Sequence, residues 1–292
     1  MSIGSININP GDGFIGTFRI NSDIETTNTL TVNGPISITA GKASALVTGT
    51  IENVNIQRLA VAQSFTISPG YKSNISSIIV NSVSKCLNAQ FAAVTVNVDQ
   101  DTGSLGSLTL YGTRFTAGIA VTANGPVDNI LIAAEANTNP CTPIAVTGAI
   151  NVGTNSKSIR AFAVKGLATV STNVLVSTKA GNISSFVLEP KAGGDITVTG
   201  DFNITTLVAS TGSVESAVVG PLASVGRFTA EALGGSIGSA QILGTTLGTR
   251  FNAAFTVSSA GAPVTVKTGS VRSVTASSFT RAALRSPRLP CA

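Results

Sequence analysis

A close pair of carboxylates, Asp99 and Asp101, stands in Asp99-Gln100-Asp101 just ahead of Gly103. Spacing of i, i+2 puts two side chains on one face of a strand, where paired carboxylates can hold a hard cation such as Ca²⁺. The same residues before a glycine also suit a solvated turn, and the turn is the plainer reading. They are weak metal candidates. Asp195 and Asp201 flank a strand-like segment and Gly200, and they too read as turn residues. The chain has no histidine. That removes Ser-His-Asp and Cys-His arrangements, histidine zinc sites and the commonest general base. No Walker A or GxGxxG segment opens a helix. With no tryptophan and only Tyr71 and Tyr111, an aromatic platform for sugars would be thin. The expectation is therefore no catalytic residue, no cofactor and no enzymatic activity.

Cysteine and arginine offer other chemistry. Cys86 and Cys141 each precede an Ala-Val pair, Ala93-Val94 and Ala145-Val146. A Cys86–Cys141 disulfide and two free thiols are both open, and a bridge would point to an oxidising, extracellular setting. Cys291 lies in the C-terminal tail. No acid follows Glu231, whereas Arg250, Lys267, Arg272, Arg281, Arg285 and Arg288 do. This basic end, with Arg272, Arg281, Arg285 and Arg288 at its core, suits an anionic surface or polysaccharide, or an acidic patch on another copy. Without interleaved aromatics, no nucleic-acid partner is expected.

The elements that must carry these residues are strands. Hydrophobic residues make up 43% of the 292, charged ones only 11%, and mean hydropathy is +0.38. Yet no apolar run approaches the ~18 residues of a spanning helix, so no transmembrane segment is expected. Val, Ile, Thr, Ser, Gly and Asn dominate in short alternating pieces, the pattern of strands. A seven-residue pattern recurs: small polar, aliphatic, any, Ser/Thr/Asn, aliphatic, any, aliphatic. Copies begin at Ser2, Thr26, Thr50, Asn74, Ser104, Pro126, Ser158, Asn182, Asn203, Ser224, Thr246 and Ser270. Most spacings are 21 to 24 residues, and the copies at Asn74 and Pro126 are longer, with Cys86 and Cys141 in their extra residues. At Thr246 the pattern puts Arg250 in an apolar column, and a one-residue bulge would set Phe251 there instead. A fixed-phase motif at this period predicts an all-β, single-domain parallel β-helix over 1–279, with about twelve coils and a basic tail over 280–292. An antiparallel sandwich or barrel explains the phase less well.

This pattern resembles right-handed parallel β-helix proteins, the architecture of many bacterial surface proteins, phage tailspikes and pectate-lyase-like enzymes. The resemblance is architectural and implies a fold rather than an activity.

Within that fold, the first motif position belongs at a corner, where a side-chain oxygen can replace a backbone partner. The sequons at Asn74, Asn182 and Asn203 all fall on it and read as structural. The pairs Thr29/Thr31, Thr197/Thr199 and Thr265/Thr268 hint at an ice-binding ladder but do not keep phase, and strand propensity explains them. The sixth position points outward. Ile79, Leu131, Ala163, Val187 and Val208 form an apolar stripe there, polar at both ends, which predicts lateral association with another copy. The motif starts at Ser2 with no room for a capping helix: in a complete chain that open edge predicts head-to-tail contact as well, and in a fragment the cap lies upstream. The expected function is a non-enzymatic, self-assembling subunit of a surface layer, filament, appendage or fibre, in an extracellular or cell- or virion-surface setting. An adhesin or carbohydrate-binding β-helix is the alternative. A pectate-lyase-like enzyme and an ice-binding protein rank lower.

Overall fold

The computed structural model describes all residues except 1, 12–13, 22–29, 41–49, 58, 71–73, 81–88, 99–101, 112, 134–143, 167, 171–172, 190–195, 207–211, 220–222, 233–234, 236, 244–249, 252–254, 260–273 and 278–292.

Every described strand pairs in parallel with the strand one turn of the chain away, and the pairs close into two sheets of fifteen and ten strands. The first coil holds β1 (Ser2–Ile3), β2 (Ile6–Ile8) and β3 (Ile15–Asn21), and the second β4 (Leu30–Val32), β5 (Ile36–Ala40) and β6 (Ile51–Gln57). The next three coils fuse their first two segments: β7 (Leu59–Pro69) with β8 (Ile75–Val80), β9 (Ala89–Val98) with β10 (Leu105–Tyr111), and β11 (Thr113–Ala123) with β12 (Val127–Ala133). The sixth coil holds β13 (Ile144–Val146), β14 (Ile150–Thr154) and β15 (Ile159–Lys165), and the seventh β16 (Ala168–Val170), β17 (Val174–Thr178) and β18 (Ile183–Glu189). The eighth has β19 (Ile196–Thr206) and β20 (Val214–Val219), the ninth β21 (Ala223–Ala232) and β22 (Ile237–Leu243). The tenth has β23 (Arg250–Phe251), β24 (Phe255–Ser259) and β25 (Val274–Ser277). The chain is an all-β parallel solenoid, as its periodicity predicts.

Each coil thus contributes three faces. The ten-stranded sheet, β3 to β25, is the third face. The larger sheet carries the first two, divided by a bend. In β9 the buried residues Phe91 and Val94 are three apart, and in β11 the register shifts between Phe115 and Gly118. An extra residue there breaks the two-residue alternation and turns the strand. Ten coils at the ~4.8 Å strand spacing make a rod roughly 43 Å long.

The core runs the length of that rod. On the third face Val54, Ile78, Leu108, Ile130, Phe162 and Phe186 stack in register and are 0–1% exposed. Phe162 and Phe186 lie ring on ring, 5.4 Å apart with planes 4° from parallel. Phe65, Phe91 and Phe115 form a second stack at 6.1 and 5.9 Å. Each such side chain removed from water contributes about 1.5–3 kcal/mol. No coil can bury these faces alone, so stacking and folding are one event.

The repeat is longer than the motif spacing suggests. Successive coils begin at Ser2, Leu30, Leu59, Ala89, Thr113, Ile144, Ala168, Ile196, Ala223 and Arg250, between 24 and 31 residues apart. Of the twelve motif copies, those at Thr50, Asn74, Ser104, Pro126, Ser158, Asn182 and Ser270 lead into the third face. The copies at Ser2, Thr26, Asn203, Ser224 and Thr246 lead into the other sheet; Asn203, for instance, pairs with Leu175 and Thr229. The third face takes its remaining strands from Phe14-Ile15, Ser213-Val214 and Ser236-Ile237 instead. An inward aliphatic column flanked by small polar residues is required on every face, so one pattern fits all three. The register aligns Phe251 with Val225 and Arg250 with Ser224, which agrees with Phe251 occupying the apolar column.

Candidate interaction faces

The corners before the third face set the register of everything on it. Backbone N–H groups of Ile51, Ile75, Leu105, Val127, Ile159 and Ile183 donate to the first-position carbonyls of the following coil at 2.8–3.1 Å. Side chains complete the ladder. The Asn74 Oδ1 accepts from both the N–H and the hydroxyl of Ser104, at 3.0 and 2.7 Å. The Asn182 Oδ1 accepts from Ser213 N–H at 2.9 Å, and its Nδ2 donates to Glu215 Oε1 at 3.0 Å. The sequons at Asn74 and Asn182 therefore coincide with corner contacts; the Asn203 side chain lies outside the described residues.

With the register held, the outward sixth position forms one column. Ile79 pairs with Thr109, Thr109 with Leu131, Leu131 with Ala163, Ala163 with Val187, and Val187 with Val218. All six are partly exposed. Asn55 precedes Ile79 in the column and Gln241 follows Val218, so polar residues bound it. Val208 is not part of this column. It follows β19, a strand of the other sheet, and lies outside the described residues; Val218 holds the expected place. The Asn182-to-Asn203 spacing suggested the wrong strand, because the true partner at Ser213 carries a small Ala217 where the motif expects an aliphatic.

Charge flanks the column on both sides. Arg160 and Asp128 approach to 3.5 Å on one side, and Lys165 and Glu189 to 2.9 Å on the other. All four side chains are at least 46% exposed, so these cross-coil pairs each contribute little stability. The outward Asn55 Oδ1 is buried with no hydrogen-bond partner.

The second face has a different chemistry. Asn7, Ser37, Thr66, Thr95, Ala120, Asn151 and Leu175 form one outward column in continuous register. Asn97, Thr122, Gly153 and Ser177 form a second, as do Thr39 and Ser68. Over these seven coils none of the residues is charged; the register then carries the second column through Thr205 to Glu231 and Ser258. The face is therefore a plane of hydroxyl and amide groups with few apolar interruptions. Of the threonines considered for an ice-binding ladder, Thr31 pairs with Ser2 and Val61, and Thr197 with Thr169 and Ser224. Thr29, Thr265 and Thr268 lie outside the described residues.

The other candidates also lie there. Asp99, Asp101, Cys86, Cys141, Arg272, Arg281, Arg285 and Arg288 are all outside the described residues. Among the described residues no group of three or more Cys, Asp or Glu gathers to hold a metal. Nor does any helix among them have the length and apolarity to cross a membrane. Phe14, 68% exposed, is the one large apolar side chain standing mostly in solvent among them, at the corner entering β3.

Comparison with protein-family models, with curated proteins and with solved structures finds no match.

Proposed function

We propose that this chain is a non-enzymatic structural protein that associates with copies of itself through its third face, as a subunit of a surface layer, filament, appendage or fibre. The observation that carries this is the column from Ile79 to Val218, apolar at every position but Thr109, continuous in register and bounded by polar residues. Six neighbours at ~4.8 Å span roughly 24 Å, longer than scattered surface apolar residues account for. The area supports a copy as the occupant. Ten strands of up to seven residues present a plane on the order of 40 by 20 Å, about the 800 Å² each partner gives to a standard interface. Its flanking charges are of both signs, which suits a partner bearing the same surface. The resemblance to surface and fibre β-helices supports an extracellular or cell- or virion-surface setting.

The test is solution mass against concentration, by light scattering or sedimentation. The wild-type chain is expected to exceed monomer mass at micromolar concentration. The double variant Leu131→Lys, Val187→Lys is expected to stay monomeric while its circular dichroism is unchanged, since both positions face outward. A wild-type chain that remains monomeric throughout would sink the reading.

A second reading, a carbohydrate-binding β-helix, is favoured by the hydroxyl and amide columns of the second face, uncharged over the first seven coils. Such a face offers many donors and acceptors to a neutral polysaccharide and no cation to an acidic one. Depletion of the protein by insoluble neutral glycan, reduced by Thr95→Glu with Thr122→Glu, is the expected result under that reading. Equal depletion of the variant would count against it.

A further inference from the structure

The sixth-position column has an internal rhythm. Reading along the rod, it runs Ile79, Thr109, Leu131, Ala163, Val187, Val218, so larger and smaller side chains alternate over the first five positions. A plane with this relief can meet its own copy in two symmetric ways. If the twofold axis runs along the rod, each coil meets its own equivalent. Leu131 then stands on Leu131 and Ala163 on Ala163, which leaves one contact crowded and the next hollow. If the twofold axis runs along the strands, between β12 and β15, the rods are antiparallel. Each coil then meets the coil reflected across that axis: Leu131 faces Ala163, Thr109 faces Val187, and Ile79 faces Val218.

We infer that the chain pairs in this second way, as an antiparallel dimer about a twofold axis lying between β12 and β15 and parallel to them. The inference rests on the self-association proposed above and adds its geometry. Every contact across the axis sets a larger side chain against a smaller or medium one, the condition for close packing. One flanking pair obeys the same operation, while Lys165 and Glu189 on the other side of the column would face Ala133 and Tyr111. Asp128 on β12 and Arg160 on β15 occupy equivalent positions on adjacent coils, and their side chains already lie 3.5 Å apart. Because the axis runs along the strands, it keeps a residue on the same side of the apolar column. Asp128 of one copy therefore faces Arg160 of the other, and Arg160 faces Asp128. One pair on each copy thus joins its equivalent in a four-charge cluster of alternating sign across the interface. The rod-parallel arrangement brings no such pairing. An isologous contact of this kind closes on itself at two copies, and further growth requires a different face.

Cross-linking reads this geometry directly. Cys86, Cys141 and Cys291 are replaced by serine, and Ile79→Cys and Val218→Cys are made as separate variants, since these positions lie five coil steps apart at the two ends of the column. Facing sheets stand about 10 Å apart, within reach of a short bismaleimide, whereas five coil steps add roughly 24 Å. Mixing the two variants is expected to give mainly the 79–218 hetero-product, and each variant alone little dimer. A charge exchange keeps the native cysteines as an independent measurement. Asp128→Arg alone and Arg160→Asp alone are each expected to weaken association about tenfold, and mixing the two variants to restore it. If association persists but the product is 79–79, or mixing restores nothing, the antiparallel arrangement is overturned while self-association stands. If the wild-type chain is monomeric at every concentration, the underlying reading fails instead.

Discussion

Among single residues, the corner asparagines separate most clearly by the atoms they use. Among the described residues Asn74 uses its oxygen alone, accepting twice from Ser104. Asn182 uses both ends of its amide, accepting from Ser213 and donating to Glu215. Aspartate preserves the oxygen and removes the donor. Asn74→Asp is therefore expected to change stability by less than about 0.5 kcal/mol at neutral pH. Asn182→Asp is expected to cost about 1–2 kcal/mol, because it loses a hydrogen bond and places a carboxylate against Glu215. Denaturant melts of the two variants at neutral pH check the difference. The corner role of these residues was readable in the sequence from their fixed motif position. The Glu215 contact was not, since it requires knowing that the next coil begins at Ser213 and not Asn203.

The corner between the first and second faces works through absence of a side chain. A Cβ on Gly148 would overlap the Ala117 carbonyl of the preceding coil, and one on Gly118 would meet the Ala149 carbonyl at 2.5 Å. Backbone there approaches backbone, which only glycine permits. Gly153, five residues further on, is different: its Cβ would meet Ser177 alone, Oγ at 3.5 Å and the carbonyl oxygen at 4.0 Å, both ordinary contacts. Gly148→Ala is expected to destabilise by about 2 kcal/mol or more, through a shift of β13 against β11. Gly153→Ala is expected to be neutral or slightly stabilising, since it adds a side chain to a strand position. Thermal melts of the two variants side by side give the comparison. Strand content and the inward columns were legible because alternation of aliphatic and polar residues is a local signal. The assignment of strands to faces was not. The sequence opening at Asn203 satisfies the motif better than the one at Ser213, where Ala217 fills an aliphatic place, and only the pairing of Asn203 with Leu175 puts it on the other sheet. Copies from two faces, counted as one series, shorten the apparent repeat and raise the coil number.

For the whole molecule, one stretch of sequence serves two surfaces of opposite character. The third face carries a largely apolar column between charges of both signs, and the second a field of hydroxyls and amides, uncharged over its first seven coils. Both come from the same alternation, and they differ only in what fills the outward places. The outward column of the third face was partly legible. Ile79, Leu131, Ala163 and Val187 were identified by position in the motif, whereas Val218 was hidden by the misassigned coil. The columns of the second face went unseen, because they become columns only once the register of β5 to β17 is known.

The parallel stacking also decides how the rod would respond to load. Its backbone hydrogen bonds run along the rod axis, from coil to coil, so tension along that axis pulls on them end-on. A strand at the rod's edge would detach a bond at a time, in the manner of a zip, before its neighbour feels the force. Each coil released frees 24 to 31 residues of chain. At ~3.5 Å per residue that is on the order of 100 Å of slack, more than twice the length of the intact rod. Sideways load is met differently, by ten coils bearing on one continuous core. The solenoid is thus weak in peeling and stiff in bending. A lateral contact such as the antiparallel pair would protect it where it is weak, since each rod's terminal coils would lie against the opposite end of its neighbour.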